Sequence, residues 1–293
     1  MTLPKLARRN LTAIAALIVG AAIGSSGVVP LFAWEAAEPG AIAINPAERT
    51  LDANLWLQTS AEYRACCLQA FSTATEKLKA KVAASPKDDL PFAVVMDLDE
   101  TVLDNSGFQS FLDRERDSYS SANWDNWEKN YADDTRLIPG AKEFINSAAA
   151  QNVSAVFITN RRVTNNAATI EALTHNGLCT DGIEARLFGK TDTSDKTTRR
   201  AEVATKYRVL LYVGDNLRDF SDDFATKRTE DEAAGAQAIA TRAAAVDAAR
   251  AHFGDDWIII PNPVYGEWQN PLGKNPRAQL RKSAMVKSTE ARK

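Results

Sequence analysis

Apolar residues recur at steps of three and four from Ala47 to about Ala84, through Leu55, Tyr63, Cys67, Ala70, Phe71, Ala74 and Leu78. That period predicts a helix with one buried stripe. Ser85-Pro86-Lys87-Asp88-Asp89 ends it as a turn. The pattern then changes. PFAVVMDLD (91–99) is a short continuous apolar run, which suits a strand covered on both faces of a parallel sheet. Similar runs follow at VSAVFITN (153–160), RVLLYVGDN (208–216) and WIIIP (257–261). A helical stretch precedes each of these three. One starts at Pro139-Gly140, one runs from about Ser194 to Lys206, and an Ala-rich one lies around 242–253.

Strands alternating with helices predict an α/β fold: a Rossmann-like parallel sheet with helices on both faces. Three of the strands end in polar residues: Asp97/Asp99, Thr159/Asn160 and Asp215/Asn216. Ligands of open α/β sheets bind at the carboxyl ends of strands, so these three ends are expected to line one crevice. Between Asp104 and Pro139 lies a segment too long for an ordinary strand-to-helix loop, with Phe108, Phe111, Tyr119, Trp124, Trp127 and Tyr131. It reads as a small helical cap insertion at about 105–138, over the crevice. A peripheral insertion with its own small core is the other reading. No repeat at solenoid spacing is visible.

The N-terminus has a different character. Lys5, Arg8 and Arg9 precede the apolar run Leu11–Ile23, and Gly24, Ser25 and Ser26 follow. A charged start, an apolar middle and a small-residue exit form the layout of a secretory signal, with a cleavage site at Ala22-Ile23-Gly24 or near Ala33. Arg8-Arg9 also allows twin-arginine export. If uncleaved, the segment is nearly long enough to anchor the protein in a membrane. No Cys stands near the exit, which argues against a lipid-anchored lipoprotein. The expected layout is a signal peptide or anchor at 1–34 and an Ala/Pro/Gly-rich linker at 35–50. One domain follows at 51–270, then a polar tail at 271–293. The protein is expected to be exported, either periplasmic or secreted.

Composition narrows the function classes. Of the 293 residues, 45% are apolar and 25% charged, so a globular core can form. The net charge is −3, and loss of the three n-region cations would make it −6. Without a basic surplus, a nucleic-acid polymer is a poor partner. Three Cys (Cys66, Cys67, Cys179) are few for an exported disulfide scaffold. Their expected role is burial as small apolar groups, with a disulfide from Cys179 to one of the other two left open. Two His and no CxxC make a zinc site a poor fit.

The stretch VVMDLDETVLDN (94–105) raises the chemical question. A buried strand runs into Asp97, Asp99, Glu100 and Asp104, and burying such charge costs several kcal/mol per group unless something positive compensates. On an extended chain Asp97 and Asp99 would share a side. Asp215 and Asp219, in GDNLRDF, add two carboxylates at another strand end. An oxygen-only ligand set suits Mg²⁺. Thr159, Asn160, Arg161 and Arg162 offer polar and positive groups, and Lys196 stands at a helix start, where N–H groups also favour an anion. Hydroxyl, lysine and metal around one point suit a phosphoryl group. Asp104 is expected to bond nearby backbone, and Glu100 has no assigned role.

These residues carry a resemblance. DLDET (97–101), ITNR (158–161), Lys196 and GDNLRDF (214–220) are similar to the four motifs of the haloacid dehalogenase (HAD) superfamily. More narrowly, the chain resembles the class C, four-aspartate bacterial acid phosphatases, which include exported 5′-nucleotidase lipoproteins. LWLQTSAEYRA (55–65), DETVLDNS (99–106), IPGAKEF (138–144), LYVGDNLRDF (211–220) and PNPVYGEW (261–268) support it over roughly residues 50–270. The resemblance implies Asp97 as nucleophile and Asp99 as general acid and base. It also implies Mg²⁺ on Asp97, the Asp99 carbonyl and Asp215, with Asp219 ligating through water or orienting Asp215. Thr159 and Lys196 would hold phosphate, with Asn160, Arg161 and Asn216 as further candidates. Tyr265, just past the last strand, is the candidate for stacking on a nucleobase, a role Trp124, Trp127 and Tyr131 could also fill.

The expected activity is Mg²⁺-dependent hydrolysis of phosphate monoesters, 5′-nucleotides or other small aromatic phosphates, through an aspartyl-phosphate. Two alternatives stay open: a phosphotransferase using the same intermediate, and a non-catalytic ligand-binding protein on this fold. The preferred leaving group and the oligomeric state are not encoded in any motif.

Overall fold

The structure is a computed structural model and describes residues 46–86 and 90–281. The expected signal or anchor segment, most of the expected linker, Lys87-Asp88-Asp89 of the expected turn, and the residues beyond 281 lie outside the described residues.

Two helices, α1 (Pro46–Thr59) and α2 (Ala61–Ala84), stand where the pattern predicts one. The break is Ser60. Its backbone is extended and its Oγ accepts from the Tyr63 N–H at 3.0 Å, capping α2. Tyr63, Cys67, Phe71, Ala74 and Leu78 form the buried stripe of α2. Leu55, expected in the same stripe, is exposed, because the break resets the helical phase and α1 buries Asn54 and Leu57 instead. Full burial of one Phe or Leu contributes roughly 1.5–3 kcal/mol, so α2 is held mainly by packing. α1 starts at Pro46, inside the stretch expected to be linker.

Five strands make one parallel sheet: β1 (Phe92–Met96), β4 (Ser154–Arg162), β5 (Leu187–Lys190), β6 (Arg208–Gly214) and β7 (Trp257–Ile259). Their order is β5-β4-β1-β6-β7, with Val94 facing Ala155 on one side and Leu211 on the other. β5 was not expected. Two further strands, β2 (Leu103–Asp104) and β3 (Arg136–Leu137), pair antiparallel as a separate ribbon.

Side chains alternate across β1. Val94 and Met96 join the main core with α2 and α5 (Ala141–Ala149). Ala93 and Val95 join a smaller core with Val203 of α7 (Thr197–Lys206). Both faces are thus covered by helices, as the apolar runs require. α6 (Asn166–His175) links β4 to β5, and α8 (Glu232–Ala248) links β6 to β7. α8 lies earlier than the predicted 242–253, since Asp231 caps it by accepting from the Ala234 N–H at 2.7 Å. Short 3-10 turns after β7, up to Gln279, lie against α8.

Between β2 and β3 the chain forms α3 (Ser106–Glu115) and α4 (Ser121–Asn130). Phe108, Leu112 and Trp127, with Trp124 against them, give this segment a small apolar core of its own. Among the described residues, no helix is long and apolar enough to cross a membrane. Cys67 is buried as expected, but Cys66 and Cys179 are exposed, and all three are free thiols.

Candidate active site

The sheet order sends β1 to β4 on one side, while β6 pairs with β1 on the other, so the site gathers at the carboxyl ends of β1, β4 and β6. The Asp97 N–H donates to the Val213 carbonyl at 3.0 Å, one ladder bond past the end of β1. The chain then turns sharply. The Leu98 carbonyl accepts from both Val102 and Leu103 N–H groups at 2.8 Å, and Glu100 adopts a left-handed φ of 57°. The extended-chain argument for Asp97 and Asp99 therefore stops at Met96, and the two carboxylates have different partners.

Asp97 belongs to a cluster with Asp215 and Asp219, whose oxygens lie within 4.8 Å of one another. Lys196, N-cap of α7, donates its ammonium to Oδ1 of Asp97 and to Oδ1 of Asp219 at 2.7 Å. The other oxygen of Asp219 accepts from the Asn216 N–H at 2.9 Å, part of a capping box around the 3-10 turn Leu217–Asp219. Asp215 accepts from Thr101 Oγ1 at 3.3 Å and from Asn262 Nδ2 at 2.8 Å. Asn262, in the loop after β7, also accepts from the backbone N–H groups of Val264 and Tyr265 at 3.0 and 3.4 Å. Tyr265 is half-buried against the main core, with its backbone tied through Asn262 to Asp215.

The Asp99 side chain stands apart from that cluster. Its Oδ1 accepts from Arg161 Nε at 2.8 Å and from Asn105 Nδ2 at 3.0 Å. Three residues before the end of β4, Thr159 is buried and its Oγ1 accepts from the Arg161 N–H at 3.1 Å, which leaves its own hydroxyl proton free to donate. Asn160 is exposed and accepts from Arg199 Nη2 at 2.9 Å. Asp104 accepts from the Ser106 N–H at 2.8 Å, the backbone role expected of it. Trp127 packs within the insertion and stacks on Tyr131 at 5.4 Å.

Charge decides what the cluster can hold. With all three carboxyls ionised, the cluster exceeds the single ammonium by two negative charges. Burial, above all, pushes the Asp97 carboxyl well above the usual range; Lys196 opposes this, while Asp219, Asp215 and Asp99 add to it. Burial and then Asp219 push Asp215 up to about 7, against the pull of the Asn262 amide and Lys196. Burial works against the Lys196 charge, but Asp219 and Asp97 outweigh it and raise the ammonium above its ordinary range. Two missing positive charges and an all-oxygen donor set fit a hard divalent cation.

No sequence pattern assigns a role to Asn105, Thr101 or Asn262. Asn105 and Asn262 lie in stretches that carry the resemblance, but their partners are distant in the chain. Arg161 was a phosphate candidate; the structure instead buries it and pairs it with Asp99.

Residues 31–268 match the family model of the HAD superfamily, subfamily IIIB (Acid phosphatase). The structure of the class C acid phosphatase from Bacillus anthracis is similar at 31% identity and a TM-score of 0.69, over 82% of this chain and 93% of that one. A structure of the class C acid phosphatase from the same organism with tungstate bound is similar at 28% identity and a TM-score of 0.69, over 85% and 94% of the two chains. Fold and site together define a phosphoric monoester hydrolase built on an α/β sheet with carboxylates at its strand ends. The chain belongs to the acid phosphatases of HAD subfamily IIIB. That membership displaces the reading of a non-catalytic binding protein.

Proposed function

We propose that the protein is an exported, Mg²⁺-dependent acid phosphatase that hydrolyses 5′-nucleotides or other small aromatic phosphate monoesters. The carrying observation is the division of labour at the end of β1. Asp97 sits in the cluster with Lys196, Asp215 and Asp219, while Asp99 sits beside it on Arg161 and Asn105.

In this reading an Asp97 oxygen attacks phosphorus, and the bond from phosphorus to the leaving oxygen breaks with its electron pair on that oxygen. Asp99 gives that oxygen a proton, so an alcohol departs and an aspartyl-phosphate remains. Water then loses a proton to Asp99 and attacks phosphorus. The bond to Asp97 breaks, and inorganic phosphate leaves. Lys196 and the Thr159 hydroxyl hold the phosphoryl oxygens, with Asn160 at the edge. Mg²⁺ would be held by Asp97, Asp215, Asp219 and the Asp99 carbonyl, and would neutralise charge on the phosphoryl group. The tungstate bound in the Bacillus anthracis enzyme supports an oxyanion site in this fold.

Tyr265 is the proposed stacking residue for the leaving group. The segment over 105–138 is the proposed cap, and the N-terminal segment the proposed export signal, cleaved or retained as an anchor. A phosphatase outside the cytoplasm would release phosphate and a neutral product from esters too charged to cross a membrane.

The test is phosphate release from p-nitrophenyl phosphate and a 5′-nucleotide, with Mg²⁺ or chelator, beside Asp97→Asn. Metal-dependent release that vanishes in the variant is expected. A folded, Mg²⁺-loaded protein that releases no phosphate from either substrate would overturn the proposal.

A further inference from the structure

Asp99 is held in an asymmetric way. Both donors that reach its carboxylate, Arg161 Nε at 2.8 Å and Asn105 Nδ2 at 3.0 Å, meet the same oxygen, Oδ1. Among the described residues, Oδ2 has no hydrogen bond that competes with them. An oxygen already accepting two N–H bonds has little capacity left for a proton, so the proton of the acid form goes to Oδ2. The arrangement therefore selects one oxygen and fixes its direction.

The group that enforces this is Asn105. Its side chain is fully buried. Its Oδ1 accepts from Arg161 Nη2 and from Trp127 Nε1, both at 2.9 Å. Its Nδ2 donates to Asp99 and, at 3.4 Å, to the Leu103 carbonyl. Its backbone N–H donates to Glu100 Oε1 at 2.9 Å. An inverted amide would set NH₂ against two N–H donors, so one orientation is imposed. Arg161 is itself buried, with the Trp124 ring 5.9 Å from its guanidinium carbon. Trp127 and Trp124 both belong to α4, in the segment between β2 and β3. Asp99 is thus oriented by a chain of bonds that begins in the insertion and passes through Asn105 and Arg161.

We infer that Asn105 and Trp127 are positioning residues for proton transfer by Asp99, coupling the seating of the insertion to the aim of Oδ2. The inference rests on the reading of Asp99 as general acid. In the step concerned, the bond from phosphorus to the leaving oxygen breaks as the Asp97–phosphorus bond forms. The electron pair stays on the leaving oxygen, the proton moves to it from Asp99 Oδ2, and Asp99 is left as carboxylate.

The consequence depends on the leaving group. An alkoxide such as a sugar oxygen needs that proton, whereas p-nitrophenolate leaves without it. A merely structural role for Asn105 or Trp127 would lower both reactions alike. The experiment compares kcat/KM, which reports the step that forms the aspartyl-phosphate, for p-nitrophenyl phosphate and glycerol phosphate in Mg²⁺-loaded protein. The proteins are wild type, Asn105→Ala, Trp127→Phe and Asp99→Asn. Trp127→Phe keeps an aromatic ring in the core while removing the N–H donor and part of the indole, so it stays informative if Asn105→Ala does not fold.

Removal of a well-placed general acid costs about 10²–10⁴-fold. Asn105→Ala is expected to lose on the order of 10²-fold with glycerol phosphate and under about tenfold with p-nitrophenyl phosphate. Trp127→Phe should shift the ratio in the same direction, by less. Equal losses on the two substrates, or an unchanged ratio in Trp127→Phe, would overturn the inference. If Asp99→Asn itself shows no selective loss with glycerol phosphate, the general-acid reading fails first, and the two failures are told apart.

Discussion

The ammonium of Lys196 donates to Oδ1 of Asp219 at 2.7 Å, and both side chains are buried. The same ammonium holds Asp97, so one lysine is the protein's own counter-charge to a three-carboxylate cluster. Removing one partner of a buried pair leaves uncompensated charge and costs about 3–5 kcal/mol. Lys196→Met is therefore expected to lose about that much stability at pH 7 in chelator, measured by urea unfolding. Much of the loss should return when Mg²⁺ is added, because the cation supplies the missing charge. An equal loss with and without Mg²⁺ would show that the lysine matters for packing and not for charge.

The raised carboxyl groups set a pH dependence for metal binding. Asp215 is pushed up to about 7 and Asp97 is raised as well, so the folded protein binds these protons more tightly than the unfolded chain does. Their contribution to the metal-free protein is full below the ordinary carboxylate range and is lost as pH rises through about 7. A cation must displace the same protons. The rise in Tm produced by a fixed Mg²⁺ concentration is expected to be small near pH 5 and to grow up to about pH 7. Calorimetric scans across that range test this, with Asp215→Asn expected to flatten the trend. A metal effect that does not change with pH would contradict it.

Gly214 is a position where close approach, and not backbone conformation, excludes a side chain. A Cβ there would stand 2.3 Å from Asp219 Oδ2 and 2.5 Å from Asp219 Cβ. The second contact is to an atom fixed to the backbone, so Asp219 would have to shift as a whole. Displacing a group that orients a metal site typically costs 10–100-fold in affinity. Gly214→Ala is expected to weaken Mg²⁺ binding by about tenfold or more in titration calorimetry, with β6 retained. Unchanged affinity would mean that Asp219 contributes little to the cation.

The strand ends were legible because apolar runs that stop at carboxylates are local patterns. β1 and β6 lie within the predicted runs, β4 overruns its own by two residues to Arg162, and Asp97, Lys196, Asp215 and Asp219 meet in one cluster. β5 was missed because Leu187–Lys190 is only four residues long and contains a glycine. The Ala-rich pattern of α8 has no clear period, so its start at Glu232 depended on the Asp231 cap. Asn262 and Asn105 could not be read for a different reason. Their partners, Asp215 and Arg161, are 47 and 56 residues away, and nothing in a single sequence marks an asparagine as buried. The pairing of Arg161 with Asp99 was hidden in the same way, since an arginine beside a polar strand end reads first as an anion ligand.

Glu100 shows how the turn after Asp99 is held. Its φ of 57° is rare for a residue with a side chain, and its Oε1 accepts from the Asn105 N–H at 2.9 Å. Burial first, then Asp99 and Asp215, push its carboxyl well above the usual range, and among the described residues its Oε2 has no hydrogen-bond partner. What the turn uses is therefore an acceptor oxygen, and the charge is a burden. Glu100→Gln keeps the acceptor and is expected to leave stability at pH 7 within about 1 kcal/mol of wild type in urea unfolding. Glu100→Ala orphans the buried Asn105 N–H and should cost about 1–3 kcal/mol. It should also loosen Asn105, so the loss of glycerol phosphate turnover relative to p-nitrophenyl phosphate is expected in Ala and not in Gln. If Gln proves as damaging as Ala on both counts, the negative charge of Glu100 is what the site requires, and the acceptor argument is wrong.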